Sequence, residues 1–225
     1  KYMVGMEIGY PPFEYYADDG STPMGFDVLL GKEIAKRLGL EAEFIDTAWD
    51  GIFAGLDTDR YDVVMSAATI TPERVANYDF STPYIENGQA IILRKDSTLN
   101  ITKFEDLAGL KVGYQAETTS DFYTKKHSAE SGFTYVENAY DKVMNAYDDL
   151  KLGRIDAVVS DSLVAVNYLS VPNTEFKQVW SAEPDEYFGV CMKKGNTVLQ
   201  EKVNAILEDM KKDGSLKQIY MEVFN

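Results

Sequence analysis

The chain has 225 residues, 45% of them hydrophobic, and 37 acidic against 22 basic side chains give a formal net charge of −15. That balance argues against nucleic acid, whose phosphates need a basic surface, and against electrostatic attachment to anionic lipid. The length suits one or two domains, no uninterrupted apolar run is long enough to span a bilayer, and a single cysteine, Cys191, rules out an internal disulfide.

In chain order, residues 2–5 read as a first strand, so no signal segment is expected within this chain. Phe26, Leu30, Ile34 and Leu38 fall at every fourth position and predict a helix that Gly39 stops. Residues 41–46 alternate like a strand, and 49–56 suit a short helix with Thr47 as its N-cap. The apolar run 63–65 is a strand that breaks into Ser66-Ala67-Ala68-Thr69, then a turn with Pro72 and Arg74. Further on, 90–93 is a strand, 104–107 a short helix, 111–114 a strand, 119–126 a helix and 134–136 a strand. Residues 140–152 form a helix with Val143, Ala146, Tyr147 and Leu150 on one face. A strand at 156–160 leads into a helix at 162–169. The last strand, 187–193, carries Cys191 as a buried structural thiol. Terminal helices at 198–212 and 216–224 are split by Asp213-Gly214-Ser215. Strands alternating with helices imply an α/β protein with mostly parallel sheets.

The segment 62–84 carries the chemistry. Small residues at the end of a strand let a ligand approach the backbone, and ligands of open α/β sheets bind beyond the carboxyl ends of strands. Arg74 offers a planar fork that matches a carboxylate in two bonds. The competing reading is a surface loop with a solvated arginine. A partial repeat bears on the choice. Leu56-x-x-x-Arg60-x-Asp62-Val63-Val64 returns as Leu150-x-x-x-Arg154-x-Asp156-Ala157-Val158, and Tyr2-Met3-Val4-Gly5 resembles Leu110-Lys111-Val112-Gly113. The first run ends in Ser66-Ala67 and the second in Ser160-Asp161. Two similarly built lobes, one offering Arg74 to an anion and the other Asp161 to a cation, suit a zwitterion.

At this point the chain resembles the periplasmic and extracellular polar amino-acid-binding proteins of ABC importers, solute-binding protein family 3. The matching residues are Gly9-Tyr10-Pro11-Pro12-Phe13-Glu14, Gly25-Phe26-Asp27-Val28 with Ile34-Ala35, Trp49-Asp50-Gly51-Ile52, Thr69-Ile70-Thr71-Pro72-Glu73-Arg74, Asp79-Phe80-Ser81-Thr82-Pro83-Tyr84, Gly153-Arg154-Ile155-Asp156-Ala157 with Asp161, and Lys193-Lys194-Gly195-Asn196. They span nearly the whole chain in the family's order. Leu29 departs from the acidic residue usual after Asp27, and Glu117 departs from the glycine usual before the threonine pair. The second departure bears on the backbone at Thr118-Thr119.

The resemblance implies a two-lobed periplasmic-binding-protein-like fold with a two-strand hinge. Lobe one is expected at 1–88 plus 186–225 and lobe two at 89–185, with crossings near 87–90 and 182–187. It also implies closure around an amino acid held in the interlobe cleft. Arg74 would clamp the carboxylate with Thr69 and the backbone at Ala67 and Ala68. Thr118 and Thr119 would help from the start of a helix, where anions are favoured. Asp161 would take the ammonium, its other reading being a helix N-cap. Tyr10 and Trp49 would sandwich the side chain, or else be core aromatics, and Glu7 and Gln115 would meet its far end. Glu117 is read as a solvated rim residue or a contact for a cationic ligand.

Arginine, lysine or ornithine is the expected ligand, then glutamine and histidine, with cystine as the alternative. The partner is a transmembrane permease; the protein is expected to be a monomer, periplasmic or lipid-anchored outside a Gram-positive cell. No catalytic residue, cofactor or metal is expected. The one histidine, His127, lies in a polar stretch and is expected to be solvated. A dehydratase on this fold, with Glu117 or Glu7 as general acid, and a sensor module remain alternatives.

Overall fold

The computed structural model describes residues 1–225, and the chain divides into two compact units, Lys1–Glu86 with Glu186–Asn225, and Asn87–Asp185. Strand β1 (Tyr2–Met6) opens the first unit, followed by the small hairpin of β2 (Tyr15–Tyr16) and β3 (Pro23–Met24). Helix α1 (Phe26–Arg37) buries Phe26, Leu30 and Ile34 and ends at Gly39, whose φ of +70° suits glycine at the helix exit. Strand β4 (Ala42–Asp46) comes next. Helix α2 (Ala54–Asp57) is much shorter than the expected 49–56 helix, because Gly51 takes a left-handed φ of +77° and residues 50–53 form turns. Thr47 is not its N-cap: its N–H donates to Met6 O at 2.9 Å. Then come β5 (Val63–Val64), α3 (Pro72–Asn77), β6 (Tyr78–Phe80) and β7 (Ile85–Asn87).

The second unit runs through β8 (Gln89–Arg94), a 3-10 turn at Phe104–Leu107, β9 (Lys111–Gln115), α4 (Thr119–Ser131), β10 (Val136–Tyr140), α5 (Val143–Lys151), β11 (Ala157–Asp161), α6 (Ser162–Leu169) and β12 (Phe176–Ser181). The expected strand at 134–136 is displaced, because the observed strand starts at Val136 and pairs in parallel with β9 through Tyr140. His127 is half-buried rather than solvated. Helix α4 extends past it to Ser131, and its ring stacks on Tyr123 at 4.0 Å.

The chain then returns to the first unit with β13 (Glu186–Phe188), β14 (Cys191–Lys193), α7 (Thr197–Asp213) and α8 (Ser215–Phe224). The expected strand 187–193 is therefore two strands, broken at Gly189-Val190. Strands β7 and β13 pair as a two-stranded ribbon at the points where the chain passes between units. No helix is long and apolar enough to cross a membrane.

Each unit is built on a five-stranded sheet, ordered β4-β1-β5-β14-β6 in the first and β10-β9-β11-β8-β12 in the second. In both, three strands run parallel and the next two reverse direction in turn. The first core gathers Ile52, Leu56, Tyr61, Val64, Ala68, Phe80 and Cys191, with Trp49 and Phe53 packed against it. Cys191 is fully buried and reduced, and burial pushes its thiol up, out of the reactive range. Leu93, Phe104, Tyr114 and Val159 anchor the second core.

Candidate functional site

In the first unit, the chain leaves β5 into Ser66-Ala67-Ala68-Thr69 and then enters α3. Thr71 caps that helix, its hydroxyl accepting the Arg74 N–H at 3.2 Å, and Pro72 fills the first turn where no donor is needed. This places Arg74 with Nη1 donating to Thr69 O at 2.8 Å. Its guanidinium carbon lies 5.4 Å from the Trp49 ring centre and 5.2 Å from that of Phe53. A planar cation seated on two rings is held in one rotamer before any ligand arrives. Trp49 thus supports Arg74, a role its sequence position did not suggest.

Glu7 follows β1 and is buried, at 2% exposure. Its Oε2 accepts the Trp49 backbone N–H at 3.2 Å, which ties the acid to the start of the turns at residues 49–53. Tyr10 is also buried, its backbone closing a turn with Glu14. Ala67 and Ala68 lie at the strand end as expected, but groups on both are already engaged. The Ala67 N–H donates to Asp27 Oδ2 at 2.7 Å, and the Ala68 carbonyl accepts from Gly189 at 3.1 Å. Thr69 is buried and bridges to Phe188.

In the second unit, Thr118 is the N-cap of α4: its hydroxyl donates to Gln115 O at 2.7 Å and accepts the Asp121 N–H at 3.4 Å. Glu117 stands where a glycine is usual and still takes the left-handed conformation, with φ +61°. Its N–H donates to Asp121 Oδ2 at 2.9 Å, which holds that conformation, and its side chain is exposed. The backbone leading to Thr118-Thr119 is thus kept despite the departure. Gln115 is buried and donates to Asp141 O at 3.0 Å.

Asp161 ends β11 at the N-cap position of α6, yet its side chain makes no capping bond. Asn87 does that work, its Oδ1 accepting the Leu163 N–H at 3.4 Å. Asp161 Oδ1 instead accepts from Asn87 Nδ2 at 2.9 Å and Gln89 Nε2 at 3.0 Å. Gln89 also reaches the Thr119 hydroxyl at 3.4 Å and accepts from Ser120 at 2.7 Å. One amide pair therefore ties together Asp161 and the start of α4, two of the expected ligand contacts. Asn87 and Gln89 went unremarked in the sequence, although an Asn-x-Gln pair opening an apolar strand is a visible irregularity.

Both units thus place their polar side chains at the carboxyl ends of parallel strands: Glu7 after β1 and Ser66-Thr69 after β5 in the first, Gln115 in β9 and Asp161 in β11 in the second. The chain matches the family described as bacterial extracellular solute-binding proteins, family 3, over residues 2–225. It is 36% identical over 217 residues to the L-cystine-binding protein TcyJ of Escherichia coli K12, covering 96% of this chain and 80% of that one. The ABC transporter arginine-binding protein 1 of the same organism is 33% identical over 223 residues, covering 97% and 88%. Among solved structures, an ancestral arginine-binding protein bound to arginine superposes with a TM-score of 0.92 at 42% identity, over 99% of this chain and 97% of that one. The relatives are binding proteins, not enzymes. The chain belongs to the extracellular solute-binding proteins of family 3, the two-lobed amino-acid-binding components of ABC importers.

Proposed function

We propose that this chain binds a cationic L-amino acid, arginine before lysine and ornithine, with glutamine and histidine weaker. The observation that carries the choice is the buried carboxylate of Glu7 bonded to the backbone of Trp49. A carboxylate acceptor suits a guanidinium or ammonium group, whereas a glutamate side chain would meet Glu7 as a like charge, at a cost of several kcal/mol. Arg74 and Thr69, with the first turn of α4 at Thr119, bind the α-carboxylate. Asp161 accepts the α-ammonium, and Gln115 and Tyr10 complete the side-chain end. The ligand is then passed to the importer's transmembrane permease outside the cytoplasmic membrane, by a monomer that is periplasmic or lipid-anchored.

A second reading has its own support: TcyJ is named for cystine. Cystine carries a second ammonium at its far end, which Glu7 would also accept. Titration calorimetry with L-arginine, L-cystine, L-glutamine and L-glutamate separates them. Arginine binding at least about tenfold tighter than cystine, about 1.4 kcal/mol, is expected. Tighter cystine binding selects the second reading, and tightest binding of glutamate or leucine overturns both. The methyl ester and the N-acetyl derivative of the best ligand should each bind far more weakly than the free amino acid.

A further inference from the structure

Three carboxyl side chains are buried in the first unit: Glu7 at 2% exposure, and Glu14 and Asp27 at 0%. The proposed site uses the first; the other two lie beneath it. Asp27, in the first turn of α1, accepts the Ala67 N–H at 2.7 Å on Oδ2 and the Tyr84 hydroxyl at 2.6 Å on Oδ1. Glu14 accepts the Ser66 hydroxyl at 2.7 Å on Oε1, and Ser66 Oγ accepts the Glu7 N–H at 3.0 Å. Successive residues of the strand end are thus each pinned by a buried acid.

The pinning has a conformational object. Ala67 has a φ of +47°, a left-handed conformation that disfavours any residue with a Cβ and persists only where its surroundings hold it. The bond to Asp27 supplies that hold. Two residues on, the Thr69 carbonyl receives Arg74 Nη1 at 2.8 Å. The same turn therefore links Glu7, through Ser66, to the seat of Arg74.

The two acids cannot both ionise cheaply in one buried site. Asp27 has a donor on each oxygen, whereas no donor reaches Glu14 Oε2. That asymmetry puts the proton on Glu14 and the charge on Asp27. Burial first, then the Asp27 charge, push the Glu14 carboxyl well above the usual carboxylate range, with Glu7 adding and the Ser66 bond opposing. Burial raises Asp27 too, but the Tyr84 hydroxyl, the Ala67 N–H and Glu14 pull it back. The other titratable groups facing the pair are Glu7 after β1, Tyr2 on β1 and Tyr84 before β7; burial keeps both tyrosines neutral.

We propose that Glu14 and Asp27 are positioning residues for the amino-acid site: their bonds to Ser66 and Ala67 fix the 66–69 turn and through it the Arg74 clamp. The proposal rests on the amino-acid reading above. When Glu14 loses its proton, two anions face each other under the turn, and ligand affinity falls on the alkaline side.

The test combines ligand-free and ligand-bound measurements on wild type, Glu14→Gln, Asp27→Ala and Tyr84→Phe. Infrared spectroscopy without ligand should show a protonated carboxyl band at neutral pH that Glu14→Gln removes. Amide exchange at Ala67 should speed up roughly tenfold in Asp27→Ala, an opening cost lower by about 1.4 kcal/mol. With L-arginine as the probe, Asp27→Ala should lose roughly tenfold or more in affinity. Glu14→Gln, titrated with L-arginine across the same pH range, should lack the alkaline decline that wild type shows. Should Asp27→Ala fail to fold, Tyr84→Phe carries the same comparison with a smaller loss. Absence of the carboxyl band, or a folded Asp27→Ala with unchanged Ala67 exchange, overturns the proposal. If arginine and cystine both fail to bind wild type, the amino-acid reading falls, while the band and the exchange rate still decide whether the pair holds the turn.

Discussion

The two units are built on one frame and finished differently. In the first, Asp62 lies just before β5, exchanging bonds with Met3 on β1: its carboxylate accepts the Met3 N–H at 2.8 Å and its own N–H donates to Met3 O at 2.9 Å. Asp156 does the same before β11, with Lys111 of β9, at 2.8 Å both ways. The residue ahead of each aspartate, Tyr61 or Ile155, packs onto a glycine of the neighbouring strand, Gly5 or Gly113. The pairing register is shared as well, Val4 with Val63 and Gly5 with Val64, Val112 with Ala157 and Gly113 with Val158. The units part company after the strands. Ser66 is tied to the Glu14 acid and is followed by a left-handed Ala67, whereas Ser160 is tied to the Tyr147 hydroxyl and followed by Asp161. The frame sets where the strand ends lie, and the residues beyond it set the sign of charge presented there.

The largest test of that division is the exchange of charge chemistry at the two ends. Arg74→Ala should cost on the order of 2–5 kcal/mol in amino-acid affinity, and Asp161→Asn a comparable amount, with little loss of thermal stability. Calorimetry paired with thermal denaturation checks both. An equal loss of stability in either variant would make these residues parts of the frame instead.

Next come the frame glycines. A methyl at Gly5 would lie 2.7 Å from the Tyr61 ring, and one at Gly113 would lie 2.5 Å from Ile155 Cδ1. Gly5→Ala and Gly113→Ala should each lower stability by about 1–3 kcal/mol in urea denaturation. Ile155→Val, which removes the offending methyl, should absorb much of the Gly113→Ala loss. The rigid ring offers no such relief to Gly5.

The pH dependence should distinguish the units too. Glu14 has a raised value when folded, so its contribution is fully present below the ordinary glutamate range and is lost as pH rises through the folded value. Relative to Glu14→Gln, wild type should therefore lose stability with rising pH across that window, by at most about 1.4 kcal/mol per pH unit. A stability difference independent of pH would show that Glu14 is ionised. The smallest effect is expected at Glu117. Glu117→Gly relieves a left-handed glutamate, offset by chain entropy, for a net gain of about 0.5–1 kcal/mol. Amino-acid affinity should not change, because the bond to Asp121 is made by the backbone.

The frame was legible because it repeats. Leu-x-x-x-Arg-x-Asp and the two Val-Gly strands mark equivalent positions, and the apolar spacing of α1 and α5 marks their buried faces. Of the edge strands, β4 was legible from its alternation, whereas β6, β10 and β12 were not. Strand β10 is largely exposed and its register comes from β9, so no apolar alternation announces it. The expected 49–56 helix had suitable spacing, but Gly51 turns left-handed and spends those residues on turns that seat Trp49 under Arg74. Arg74, Glu7 and Asp161 could be picked out by chemistry and resemblance. Glu14 and the bond between Asp27 and Ala67 could not, because acidic residues in a sequence read as surface and only the fold buries them.

Cys191 offers a use beyond packing. It sits in β14 between β5 and β6, wholly enclosed, and the chain has no other thiol. A thiol reagent in solution can reach it only when the first unit's sheet opens. The rate of alkylation is therefore a clock for the opening of that one unit, readable by mass in the intact protein without any added probe. Supplying a ligand should slow the clock in proportion to how firmly it ties the first unit shut.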